Sequence, residues 1–481
     1  METFVQLLLT LTIAGILALF FALLRGRTPT RNPTVPIVEV TDAAFARHIL
    51  IDRADAFSNR SIAPFPVDFS GGRRQTYAIN TAPYGPLWRA LRCNLTATAL
   101  HPSRHGILAP LRCEAVDALV AGLSARSGDD ELVLRDSLHN AVFALVARLC
   151  FGEGVDARAV SSMERELVDF FYNFNEFLAL AGSRTRRLMH WKRWLRFAGS
   201  RDRLSNLFLP QIVARRQRSS SSNNGGMARP YVDTLIDLHI PDFDGQHDGH
   251  TLTDEDIVTL VWEFLGPGTE STVSCVEWAL AHLIIKPEIQ KKLYHEVTGD
   301  QWNGVISDER LRGLPYLHAI VLETLRLHPP VPIIERDVVA SEAAKVADGM
   351  SQPVPASDSR YVRFSINPSE MGRDPKAWKD PDEFRPERFL AGGDAEGVSP
   401  LPGPNEIRMM PFGAGRRGCP GAGLGIMHIK MFLATLVREF VWARPTDGGK
   451  IDLTEYDEFF KVMKTPLRAR ITPRSPLVST K

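Results

Sequence analysis

Residues 411–421, PFGAGRRGCPG, gather one cysteine, two arginines and four glycines into a single turn. Two chemistries fit such a stretch. Gly413, Gly415 and Gly418 make a GxGxxG pattern, which in the right setting cradles a dinucleotide pyrophosphate. Alternatively, Cys419 stands just ahead of a helix starting near Pro420 or Gly421, where free N–H groups and the helix dipole favour an anion. A thiol so placed ionises more readily and can serve as a metal ligand. The glycines would then let the backbone approach a flat prosthetic group and offer N–H groups to the sulfur. Gly421 would let the helix lie close to that group. Arg417 supplies a fork that suits a carboxylate.

The surrounding sequence separates the two readings. A dinucleotide fold needs a strand before the glycines and an acid about 20 residues after them, carried on a second strand. NEIRMMP ahead of Phe412 is a poor strand, broken by Pro411, and Glu439 lies within GIMHIKMFLATLVREF, whose apolar spacing is helical. No room remains for further βαβ units. The thiolate reading accounts for more residues.

Other candidates lie upstream. LHAIVLETLRLHPP sets Glu323 and Arg326 at i, i+3 on one helical face, and FRPERF sets Arg388 between Phe384 and Phe389. YGPLWRALR sets Trp88 and Arg92 at i, i+4. VWEFLGPGTESTVSCVEWAL is a helical run that carries Glu270, Ser271 and Thr272, with Pro267 predicted to kink it.

Phe412, Gly415, Arg417, Cys419 and Gly421 fill every fixed position of F-x-x-G-x-R-x-C-x-G, and the chain thereby resembles the cytochromes P450. YGPLWRALRCNLTATALHPSR, LPYLHAIVLETLRLHPP, MGRDPKAWKDPDEFRPERF and the cysteine loop look most like plant microsomal members of the A-type clan. The resemblance implies haem b with Cys419 as the iron ligand. It implies a buried network of Glu323, Arg326 and Arg388, and propionate contacts from Trp88, Arg92, Arg336 and Arg417. It implies a proton relay through Glu270, Ser271 and Thr272. It also implies monooxygenase activity on a lipophilic substrate, with NADPH electrons delivered by a reductase docking on the cysteine side, where Arg416 would face it. By the same resemblance the pocket is lined by 55–80, 165–185, 262–270, 331–335 and 457–463. Those stretches supply Phe57, Phe65, Phe170, Phe171, Phe174, Phe177, Trp262, Phe264, Ile333, Ile334, Phe459 and Phe460.

Three features depart from the family pattern. Against (A/G)-G-x-(D/E)-T-T, this chain has Pro267 at the first position and Ser271 in place of a threonine. The first strands look truncated, and 337–363 replaces a compact strand–turn–strand. These departures leave room for a second reading, a catalytically impaired relative that keeps the haem fold.

The elements that must position these residues are mostly helical. AFARHILIDRADAF, NAVFALVARLCF, MERELVDFFYNFNEFLALA and DIVTLVWEFL keep three- and four-residue apolar spacing, while YVRFSIN and PLRARIT read as short strands. Stretches 215–230 and 242–250 read as loops. The expected fold is mainly α with a minor β portion: a P450-type haem domain over 27–481, preceded by one transmembrane helix in 1–26. Residues 4–24 are uncharged and span about 30 Å as a helix. Arg25, Arg27 and Arg31 follow, so the catalytic domain is expected to face the cytosol from a single-pass anchor in the endoplasmic reticulum membrane. A net charge of +1 in 481 residues gives no basis for a nucleic-acid partner. Five scattered cysteines fit neither a disulfide framework nor a structural zinc site.

Overall fold

The computed structural model describes residues 35–60, 78–104, 106–126, 131–181, 184–219, 229–241, 249–299, 306–346, 359–403, 407–446, 449–457 and 459–474. The expected anchor at 4–24 and Phe65 lie outside these residues. Among the described residues no helix is long and apolar enough to cross a membrane.

The helices that matter for the site are α1 (Pro86–Asn94), α2 (Ala109–Ala125), α3 (Arg135–Phe151), α4 (Ala157–Tyr172), α5 (Phe174–Ala181), α6 (Ser200–Ser219), α7 (Asp254–Ile285), α8 (Pro287–Thr298), α9 (Pro315–Leu327) and α10 (Ala422–Glu439). Helix α7 is the axis. Its start is fixed by a capping box, with Thr253 Oγ1 accepting the Asp256 N–H and the Asp256 carboxylate accepting the Thr253 N–H. From Val273 to Ile284 it is buried on all sides, which requires partners all round. Helices α3, α6, α9 and α10 supply them. The helix runs unbroken through Pro267. The ring still removes one N–H, so the Glu263 carbonyl lacks its helical donor. Stretch 215–219, read as part of a loop, instead extends α6.

Strands occupy the periphery. β1 (Ile37–Val40) runs parallel to β6 (Tyr361–Ile366), and β6 pairs antiparallel with β5 (Ile334–Val339). β10 (Arg468–Pro473) pairs with both β7 (Phe440–Ala443) and β2 (Leu132–Val133). β3 (His239–Ile240) with β4 (His250–Thr251), and β8 (Glu455–Asp457) with β9 (Lys461–Met463), form two small ribbons. The sheet that looked truncated in sequence is formed: Val38 and Arg336 both register against Phe364. The extra residues after β5 lengthen the connection to β6 without preventing the pairing.

This sheet has its own core. Val38, Ile49, Leu50, Phe57, Phe364, Met410 and Ala414 belong to one buried cluster. It therefore grips the chain on both sides of Phe412 and Gly413, and so anchors the front of the cysteine loop.

Candidate functional site

The cysteine loop leaves the sheet's core after Ala414 and enters α10 at Ala422. Three short backbone bonds shape it: Gly413 N–H to Met410 O at 3.1 Å, Gly418 N–H to Gly415 O at 3.0 Å, and Cys419 N–H to Phe412 O at 2.8 Å. Gly415 has φ +67°, and a Cβ there would lie 2.0 Å from the Leu50 carbonyl oxygen. Glycine is needed at 415 for protein packing, independently of any prosthetic group. At Gly421 an added Cβ would touch only Leu100, at 3.8 Å, so protein packing does not require glycine there.

Cys419 is an exposed residue, yet burial of its surroundings raises its thiol pKa. The Gly421 N–H bonds the sulfur, and the charges of Arg92 and Arg60 favour the thiolate, but together they do not overcome desolvation. The ready ionisation expected from a helix start is therefore not a property of the loop alone. It needs a further positive charge at the sulfur, such as a metal ion.

Arg92 and Arg60 act on this thiol, and Arg336 and Arg417 stand with Arg60. Arg92 donates to Gly418 O at 2.5 Å, and Arg60 donates to Arg417 O at 3.2 Å. Arg336, on β5, is buried and donates to Glu335 O at 2.8 Å, while its Nε has no hydrogen-bond partner among the described residues. Burial holds the Arg336 pKa well below the arginine range, with Arg60 and Arg417 adding repulsion. Burial, repulsion from Arg60 and Arg92 and a partly offsetting Glu263 bring Arg417 down to about 9. The carboxylate of Glu263 acts on both Arg60 and Arg417. Buried cations require compensation, and one carboxylate acting on two of the four guanidiniums leaves the group under-compensated. A ligand carrying carboxylates beside a metal for the thiolate suits this donor set.

Arg417 itself is differently placed from the carboxylate fork read in the sequence. Its Nε donates to Ser58 O at 2.8 Å, and its two Nη atoms donate to Ile79 O at 2.7 Å and Ala82 O at 2.5 Å. Its fork is filled by carbonyls, and its guanidinium lies 4.5 Å above the Trp88 ring. Trp88 is also buried and donates Nε1–H to Ile79 O at 3.0 Å. Arg416 pairs with Asp55 and covers Tyr84 at 4.7 Å, so it is not a free surface cation.

Behind the loop, Glu323, Arg326 and Arg388 come together with 0 % side-chain exposure each. Arg326 binds Glu323 through two bonds of 2.7 and 2.8 Å, and Arg388 Nε reaches Glu323 Oε1 at 3.0 Å. The Arg385 N–H adds a bond of 2.8 Å. Remaining guanidinium donors take carbonyls of Gly372, Lys379, Asp380, Pro381 and Glu383. Trp378, which the sequence reading passed over, bridges network and loop. Arg326 and Arg388 lie over its ring, and its Nε1–H donates to Met371 O and Arg408 O.

The helix α7 trio separates. Glu270 is buried, and its Oε1 lies 2.8 Å from His139 Nε2, while His139 Nδ1 lies 2.7 Å from Glu164 Oε1. The acid is thus tied into an ionic cluster between α3, α4 and α7. Thr272 is buried and bonds Gly268 O at 3.3 Å; Ser271 is only partly buried and bonds Pro267 O at 2.8 Å. Neither His139 nor Glu164 could be paired with Glu270 by spacing, because each comes from a different helix.

The pocket aromatics divide similarly. Phe170, Phe171, Phe174, Trp262, Phe459 and Phe460 form one continuous cluster, with Phe171 stacked on Trp262 at 5.6 Å. Phe57 instead packs on Phe364 in the sheet core and Phe264 on Tyr231, while Phe177 joins the cluster through Phe170 and Phe174 and also packs against Trp194 and Phe197. Ile333 is exposed.

Fold and site thus define a mostly helical protein that presents a cysteine, at the head of a helix, beside a cation-rich buried wall. The family model described as Cytochrome P450 matches residues 31–472. Cytochrome P450 89A9 of Arabidopsis thaliana is 34% identical over 451 residues, covering 91% of this chain and 84% of that protein. Cytochrome P450 98A2 of Glycine max is 31% identical over 466 residues, with the same coverages. A zebrafish cytochrome P450 solved with progesterone superposes with a TM-score of 0.71 at 21% identity, covering 95% of this chain and 99% of that one. The chain belongs to the cytochrome P450 family, and with it come a haem-iron cofactor and the class of oxygen-incorporating oxidoreductases.

Proposed function

We propose that this protein is a haem-thiolate monooxygenase that inserts one oxygen atom from O2 into a lipophilic small molecule, using NADPH electrons delivered by a reductase. The observation that carries the reading is the exposed Cys419, backed by the Gly421 N–H and acted on by Arg60 and Arg92, with the buried Arg336 beside Arg60. Cys419 would ligate the iron, and the three guanidiniums would hold the propionates. Bound haem would supply the binding and reductive activation of O2, favoured by a thiolate ligand.

The chain's own contributions follow from its geometry. The Glu323–Arg326–Arg388 network fixes the segment that leads into the loop, so its role is to hold Cys419 on target. Ser271 is the member of the helix α7 trio left partly open, and its hydroxyl can both accept and donate. Proton transfer is therefore assigned to Ser271 with water. Glu270 acts from behind, held by His139. The aromatic cluster over α4, α5, α7 and the turn before β9 supports an apolar substrate. The uncharged 4–24 stretch supports a membrane anchor and residence at the endoplasmic reticulum. The impaired-relative reading draws no support from the fold, since both the sheet and helix α7 are formed.

The test is to express the full chain with a haem precursor and record the spectrum of the reduced, carbon-monoxide-treated protein. A thiolate-type Soret band supports the proposal, and a protein that takes up no haem overturns it. NADPH consumption with a reductase and a panel of lipophilic compounds then separates an active enzyme from an impaired one.

A further inference from the structure

Glu263 has no part in the chemistry above, yet its surroundings are highly built. It lies on helix α7, and its two oxygens accept two successive backbone N–H groups, Ile79 to Oε2 at 2.7 Å and Asn80 to Oε1 at 2.8 Å. The same turn is held from the other side through its carbonyls. Ile79 O accepts from both Trp88 Nε1 and Arg417, and Ala82 O accepts from Arg417. An Ala82 N–H to Ala78 O bond of 2.8 Å closes the turn on itself. One five-residue stretch thus has its donors on the long central helix and its acceptors on the residues beside the cysteine.

Resting on the haem-site reading above, we propose that Glu263 is a positioning residue: its carboxylate holds the 78–82 turn, and through that turn it sets Arg417 and Trp88 at the carboxylate end of the haem. The electrostatics agree. Burial pushes the Glu263 pKa up to about 7 despite both N–H bonds and the charges of Arg60 and Arg417, so the carboxylate stands in a costly position. A group kept there without a structural or chemical task would be replaced by an apolar one at little loss. If the turn lets go, Arg417 keeps, among the described residues, Ser58 O alone as an acceptor, inside a wall already rich in cations. Trp88 loses its acceptor as well.

The variants Glu263→Gln and Glu263→Ala, made in the full-length haem-loaded protein in detergent, test this. Glutamine keeps the shape but offers one acceptor oxygen, so it separates hydrogen bonding from packing. Amide exchange of Ile79 and Asn80 is expected to rise about tenfold or more in the alanine variant, with glutamine between it and wild type. The rate of haem transfer to excess apomyoglobin should rise in the same order, with the reduced carbon-monoxide Soret band unmoved. Exchange in Glu263→Gln equal to wild type overturns the proposal, because shape alone would then suffice. Faster exchange with unchanged haem transfer also overturns it, because the turn would not reach the haem end. A wild-type chain that binds no haem refutes the haem-site reading instead, and the exchange measurement still decides whether Glu263 holds the turn.

Discussion

The His139 cluster makes a pH dependence of stability that can be worked from the structure. Both imidazole nitrogens face carboxylate oxygens, Nδ1 toward Glu164 at 2.7 Å and Nε2 toward Glu270 at 2.8 Å. Carboxylates only accept, so both nitrogens must carry protons. Burial by itself lowers the pKa, but the two hydrogen bonds and the two negative charges outweigh it and hold the group at about 9. The unfolded value is about 6.5, and a difference of about 2.5 units corresponds to about 3 kcal/mol. Because the folded pKa is the higher one, this stability is complete below about pH 6.5 and is lost as pH rises toward 9.

Other groups titrate nearby, and they fix the design of the assay. Glu263, raised to about 7 chiefly by burial, loses stability with rising pH mostly below that value. Lys430, brought down to about 8 by burial, acts in the opposite direction above pH 8. The readout is therefore a difference. Urea unfolding of wild type and of the double variant His139→Gln/Glu164→Gln is followed from pH 6 to 9.5. Wild type should lead by about 3 kcal/mol more at pH 6 than at pH 9.5, with the steepest change between 7 and 9. A difference that stays constant across that range refutes a charged His139.

Three further outcomes are expected. Gly415→Ala combines φ +67° with a Cβ 2.0 Å from Leu50 O, so it should reduce haem content per folded protein severely, read as the Soret to protein absorbance ratio. Glu323→Gln leaves Arg326 and Arg388 buried without their counter-charge, and should cost about 3–5 kcal/mol in chemical unfolding. Gly266→Ala would place a Cβ 2.2 Å from Phe171, a side chain that can rotate off Trp262; ligand-binding spectra should change while thermal stability moves little.

Much of this protein was determined along the chain itself. The cysteine motif, the i, i+3 pair Glu323 and Arg326, and the apolar periodicity of α3 and α7 are local patterns, and local patterns carry chemistry whenever spacing alone sets the geometry. The near-continuous burial of α7 also follows from its composition. What only the tertiary structure decided are the partners that come from elsewhere in the sequence. Arg417 spends its fork on carbonyls of Ser58, Ile79 and Ala82, more than 330 residues away. Glu270 turns to His139 and Glu164, on two other helices, which leaves Ser271 as the open hydroxyl. Glu263 and Arg60 join the site through the same long-range packing. A charged side chain once buried must find its counter-group wherever the fold brings one within reach, and that choice has no signature in the spacing of neighbouring residues.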